Sequence, residues 1–132
     1  MQASKVIETS LYVRDLDASR KFYSEILGLK EFSSEKNRHV FFRCGDAMFL
    51  LFNPHKTRES GQNVPSHGAE GAGHVAFSVT EKEYSHWKNN LLEKGVVIEK
   101  EIQWPGGGKS IYFRDPSGNS IELVTPQTWG MK

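Results

Sequence analysis

Cysteine is almost missing from this 132-residue chain, in which Cys44 stands alone. A single thiol forms neither an internal disulfide nor a cysteine cage for zinc, and a reducing compartment suits it. Cys44 sits beside Gly45 with Arg43 as its one basic neighbour. A nucleophile needs a base and an oxyanion site, and neither is visible around it, so the thiol reads as inert. A charge imbalance is missing too. Seventeen Lys and Arg against 16 Asp and Glu leave a formal net charge of +1, and the longest basic run is Arg20-Lys21. A surface that tracks nucleic-acid phosphates needs clustered cations, so no nucleic-acid partner is expected. The longest apolar run, Ala47 to Phe52, is far too short for a membrane span. The N-terminal MQASKVIETS has no apolar signal core, and a cytoplasmic protein is expected. The remainder is ordinary for a folded domain, with 25% charged and 37% hydrophobic residues. The length is enough to bury a core without staples.

Periodicity then marks the elements. In 6–13, VIETSLYV, Ile7, Thr9, Leu11 and Val13 fall on one face and Glu8, Ser10 and Tyr12 on the other, which predicts a strand. Asp15 or Asp17 can cap a helix through Ala18, Phe22, Tyr23, Ile26 and Leu27, with Gly28 as its stop. Strands are predicted over 40–43 and 48–52, joined by the turn Cys44-Gly45-Asp46. The stretch 53–73 lacks apolar periodicity and reads as a long connection. Beyond it Val75, Phe77 and Val79 alternate with His74, Ala76 and Ser78. Thr80-x-x-Glu83 is a capping-box pattern, and Tyr84, Trp87, Leu91 and Leu92 make a helical stripe ended by Gly95. Strands follow over 96–102, 111–114 and 120–125, with loops at Trp104–Lys109 and Asp115–Asn119.

The halves run parallel. Glu8 aligns with His74, Val13 with Val79, Phe42-Arg43 with Phe113-Arg114 and Leu51 with Leu123. A strand–helix–strand–strand–strand unit that occurs twice is an internal repeat of roughly 60 residues. It divides the chain into modules 1–60 and 61–132.

Three segments, LYVRDLDASRKFYSEILGL (11–29), GHVAFSV (73–79) and SIYFRDPSGNSIELVTP (110–126), resemble the vicinal oxygen chelate superfamily. That superfamily contains glyoxalase I, bleomycin-resistance proteins, fosfomycin-resistance enzymes and extradiol dioxygenases. The resemblance implies an α+β fold of two βαβββ modules whose curved sheets form an open cleft, and a homodimer. It also implies a divalent metal in the cleft, with ligand positions that fall on Glu8, Leu50, His74 and Glu122. Leu50 departs from the pattern, because glyoxalase I has a carboxylate there. The remaining trio, Glu8, His74 and Glu122, matches in position the three-ligand arrangement of fosfomycin-resistance enzymes and dioxygenases, with Glu8 in place of their usual histidine.

Strand parity supports the trio separately, because each member interrupts an apolar strand on the face opposite the helix-packing residues. Asp and Glu (16) and His (5) are scarce among 132 residues, so chance would fill all three positions only about 0.4% of the time. Two carboxylates in one cleft repel, and a cation relieves that cost. Oxygen and imidazole donors suit Mn, Fe(II), Ni or Zn. The sequence therefore predicts a metal-dependent enzyme acting on a small molecule with vicinal oxygens, of lyase, isomerase, transferase or dioxygenase type. Glu122 or Glu8 would serve as base and Tyr112 would orient or protonate the substrate. Ser110 and Tyr112 alternate with Ile111 and Phe113. In fosfomycin-resistance enzymes a serine and a tyrosine at the matching positions face the substrate, and the bland reading of Tyr112 is a core residue. Tyr12, Phe49 and Trp104 complete the expected substrate surface. The competing reading is a metal-free drug- or metabolite-binding protein that uses Tyr12, Phe49, Trp104, Tyr112 and Trp129. Gly106-Gly107-Gly108 reads as a plain turn or a loop over the cleft. His39, His55, His67 and His86 show no ligand spacing. His67 and Arg58 reach a cleft only if the long connection folds over it.

Overall fold

A computed structural model describes all residues, 1–132. The chain divides into two compact units, Met1–Gly71 and Ala72–Lys132. The first extends past residue 60 because the connection folds back onto its own module. There the His67 amide donates to the Thr57 carbonyl at 2.9 Å.

The first unit runs β1 (Glu8–Tyr12), α1 (Leu16–Glu25), β2 (Lys30–Glu35), β3 (His39–Cys44), β4 (Ala47–Phe52) and a short helix α2 (Pro54–Thr57). Asp15 caps α1 by accepting from the Ala18 amide at 3.0 Å, and Gly28 leaves the helix in the left-handed region, where only glycine sits without strain. The sheet order is β1-β4-β3-β2, with β1 parallel to β4 and the other pairs antiparallel. One face carries Leu11, Val40, Phe42, Phe49 and Leu51 against α1, whose Tyr23 is completely buried. Large side chains removed from water this way contribute about 1.5–3 kcal/mol each. The strand β2 is exposed at every position, so no apolar alternation marked it in the sequence. It is held by its ladder to β3.

The second unit repeats the plan with β5 (His74–Ser78), α3 (Tyr84–Glu93), β6 (Lys100–Gln103), β7 (Lys109–Arg114) and β8 (Ser120–Val124). Its order is β5-β8-β7-β6. The capping box forms at the turn that enters α3. The Glu83 amide donates to Thr80 Oγ1 at 3.2 Å and the Thr80 amide to Glu83 Oε2 at 3.3 Å. Ile111, Phe113, Ile121, Leu123 and Leu91 make the core. The strand predicted over 96–102 begins only at Lys100, because the Val96 amide is drawn back to the Leu91 carbonyl and Val97 stands in solvent. The two βαβββ sheets bear out the α+β expectation. No helix is long and apolar enough to cross a membrane.

Candidate functional site

The face of the second sheet turned away from α3 gathers most of the expected residues. In the ladders Tyr112 stands beside Glu122 and Glu122 beside Ala76. His74 lies two residues back along β5, paired with Ser120, and its Nε2 is 3.3 Å from Glu122 Oε2. The two differ in setting, since the His74 side chain is half exposed and that of Glu122 is 10% exposed.

The other ring nitrogen fixes the tautomer. His74 Nδ1 lies 3.0 Å from the Ser120 carbonyl. A carbonyl oxygen only accepts, so Nδ1 carries the hydrogen and donates. Nε2 of the neutral ring then presents a lone pair to the lone pairs of a carboxylate. That juxtaposition is repulsive unless a proton or a cation lies between them. Metal-ligating histidines show this pattern, with the second N–H given to a backbone carbonyl. The separation also fits. Donors about 2.0–2.2 Å from one ion are themselves about 2.8–3.6 Å apart at right-angled to tetrahedral bond angles.

The remaining partners lock the carboxylate. Ser110 Oγ donates to Glu122 Oε1 at 2.6 Å, and Trp104 Nε1 donates to Ser110 Oγ at 2.8 Å. The Tyr112 hydroxyl also hydrogen-bonds Glu122 and lies within reach of Ser110. Its ring stacks near that of His74, with centroids 6.3 Å apart. Burial, then the hydrogen bond and charge of Glu122, push the Tyr112 pKa above its ordinary 10. Tyr112 therefore keeps its proton at neutral pH.

Two expected substrate contacts in this unit change character. Ser110 is fully buried with its hydroxyl committed to Glu122, so it positions the carboxylate. Trp104 is half-buried, and its N–H is spent on Ser110. The glycine run is an ordered turn, with the Trp104 amide donating to the Gly108 carbonyl at 3.0 Å and the Gly107 amide to Trp104 at 3.0 Å.

The first unit holds Glu8, exposed, on the open face of β1. A pocket of about 290 Å³ there is lined by Glu8, Thr9, Ser10, Tyr12, Leu50, Phe52 and His67. Tyr12 lines this pocket. Phe49 does not, because it pairs with Thr9, is 1% exposed and packs on Tyr23 with centroids 4.9 Å apart. Every residue of β4 is apolar, so alternation could not assign its faces. His67 is the residue that spacing could not mark, since it arrives from the connection and hydrogen-bonds Tyr12 at 2.7 Å. Trp129 is exposed. Nowhere do three His, Cys, Asp or Glu side chains gather within either unit. His74 and Glu122 form a pair in the second, and Glu8 stands in the first.

A family model described as the Glyoxalase/Bleomycin resistance protein/Dioxygenase superfamily matches residues 5–123. "Glutathione transferase FosA" of Serratia marcescens is 33% identical over 114 residues, 86% of this chain and 75% of that protein. "Metallothiol transferase FosB" of Bacillus licheniformis is 30% identical over 114 residues, 86% of this chain and 70% of that protein. A crystal structure of lactoylglutathione lyase from Agrobacterium tumefaciens superposes with a TM-score of 0.95 at 37% identity, covering 99% of this chain and 100% of that one.

Proposed function

Because this chain belongs to the Glyoxalase/Bleomycin resistance protein/Dioxygenase superfamily, we propose that it is a divalent-metal-dependent enzyme of small-molecule chemistry. Its substrate offers two adjacent oxygens, and His74, Glu122 and Glu8 are the metal ligands. One observation carries the reading. His74 gives its Nδ1 hydrogen to Ser120 and turns Nε2 toward Glu122 Oε2 at 3.3 Å, an arrangement that calls for a proton or a cation between them, and the donor set suits a cation. Mn, Fe(II), Ni and Zn suit this imidazole–carboxylate set.

Bound there, the metal supplies Lewis-acid stabilisation of negative charge on substrate oxygen. The protein's own groups do the rest. Ser110 and Tyr112 hold Glu122 so that Oε2 points at the imidazole. Tyr112 keeps its proton and donates it to substrate oxygen, and Glu122 is the carboxylate placed to accept a proton from the substrate. The names of the relatives, a glutathione transferase, a metallothiol transferase and a lactoylglutathione lyase, favour transferase or lyase chemistry with a thiol-bearing partner. A homodimer in the cytoplasm completes the proposal.

Untagged protein assayed for bound metal tests it. Native protein should carry a stoichiometric ion, and His74→Ala, Glu122→Ala and Glu8→Ala should each deplete it. Unchanged metal content in all three overturns the reading. The second reading, a metal-free binder, draws on the same pair, because a protonated His74 satisfies Glu122 as an ion pair. Such a binder would melt at the same temperature with manganese or with chelator, since only a bound ligand shifts the transition.

A further inference from the structure

His67 is a titratable side chain at the pocket of the first unit, and the function proposed above leaves it without a task. The connection that carries it is well anchored. Gln62 Nε2 donates to the carbonyls of Lys56, Thr57 and Glu59 at 3.1, 2.9 and 2.7 Å. The His67 amide donates to Thr57 at 2.9 Å, and Arg58 bonds Glu70 at 3.0 Å. The ring therefore lies edge-on to Phe52, with centroids 4.8 Å apart, and its Nδ1 is 2.7 Å from the Tyr12 hydroxyl.

That pairing has a polarity. A phenol that donates to Nδ1 leaves the imidazole hydrogen on Nε2, and Nε2 makes no hydrogen bond within the chain. The subsite assigns that tautomer, in which a donor with no partner stands at this end of the pocket. A cation flanks the same end, since the Arg38 guanidinium lies 5.6 Å from the Phe52 ring centre. Gln62 binds Arg38 at 3.2 Å, and Glu35 is only within 3.9 Å of it. The opposite end is Glu8, four residues back along β1, about 13 Å away at ordinary strand rise. Leu50 and Phe52 form an apolar floor between the ends. A volume of about 290 Å³ holds roughly ten water-sized groups.

We propose that Tyr12 and His67 form a subsite for the anionic tail of an elongated substrate whose vicinal oxygens lie at the Glu8 end. The substrate class is thus a chelating head joined by a short apolar chain to a carboxylate or similar anion. What binds at the Glu8 end rests on the metal-site reading given above.

The test compares two chelators of equal chain length on the manganese-loaded full chain by titration calorimetry. They are octanohydroxamate and suberic acid monohydroxamate, which differ in the terminal carboxylate. A charge-assisted hydrogen bond is expected to give the carboxylate form an advantage of about tenfold. His67→Ala should abolish that advantage and Tyr12→Phe should reduce it, read as the ratio of the two affinities for each variant. Equal affinity of the two compounds for the native chain, or an advantage that survives His67→Ala, overturns the subsite. If neither compound prefers the metal-loaded chain to the metal-free one, the metal-site reading fails instead. The subsite is then decided with octanoate on the metal-free chain. It should move the ¹⁵N resonances of the His67 ring, and unmoved resonances overturn it.

Discussion

Ser110 Oγ donates to Glu122 Oε1 at 2.6 Å, and it can only donate in that direction because Trp104 Nε1, itself a donor, approaches the same oxygen at 2.8 Å. The relay leaves Oε2 as the oxygen that meets His74. Ser110→Ala removes the donor from a buried carboxylate. We expect a loss of about 1–3 kcal/mol, read from urea unfolding of the metal-free protein, together with weaker manganese binding. Trp104→Phe, which deletes only the N–H from the end of the relay, should show the same signs at smaller size.

Gly108 ties the glycine turn to the C-terminus. Its φ is +89°, and a Cβ there would overlap the Thr128 main-chain nitrogen and hydroxyl, with Thr128 Cα at 2.7 Å. Gly108→Ala should destabilise the fold by about 2–4 kcal/mol. Gly106, with nothing within 4 Å, should accept alanine with a change under about 0.5 kcal/mol. Equal midpoints for the two variants in a urea titration would contradict this account of the loop.

Asn119 connects the β7–β8 turn to the strand that carries His74. It is 1% exposed. Its Oδ1 accepts from the Gly73 amide at 2.7 Å, and its Nδ2 donates to Asp115 Oδ2 at 2.9 Å. Asn119→Ala removes both side-chain bonds from a buried site, at a cost of about 2–4 kcal/mol. Hydrogen exchange should report the loss locally, with the Gly73 and His74 amides released first.

His39 gives the stability a pH dependence of known sign. Arg38 Nη1 lies 2.6 Å from His39 Nδ1. A guanidinium only donates, so the ring accepts and is neutral. Burial and then the Arg38 charge hold the pKa below 6.5, against a weaker upward pull from Glu35. Well above pH 6.5 neither folded nor unfolded chain is protonated there, and this contribution is fully present. As the pH falls from 6.5 toward the depressed native value, the unfolded chain takes a proton that the folded one refuses, and stability is lost. The unfolding free energy of the native chain should drop more between pH 7.5 and 5.5 than that of His39→Gln. Identical drops would refute it.

Much of this was decided by local pattern. Alternation in 74–79 and 110–114 put His74, Ser110 and Tyr112 on the face opposite the core, and Glu122 followed from the same parity in β8. The cap at Asp15, the stop at Gly28 and the box Thr80–Glu83 were legible because each depends on residues within a turn of one another. Where every residue was apolar, as in β4, or exposed throughout, as in β2, a period of two carried no signal. Phe49 was therefore assigned to the wrong face and β2 was not marked. Tertiary structure alone decided the rest. Only the folded ladder brings Ser120's carbonyl to His74 and turns Trp104 onto Ser110. Only the packing of the connection brings His67 to Tyr12 across 55 positions of sequence. Faces are fixed by neighbours one and two residues away, but the direction of a polar hydrogen is fixed by whatever atom the fold sets opposite it.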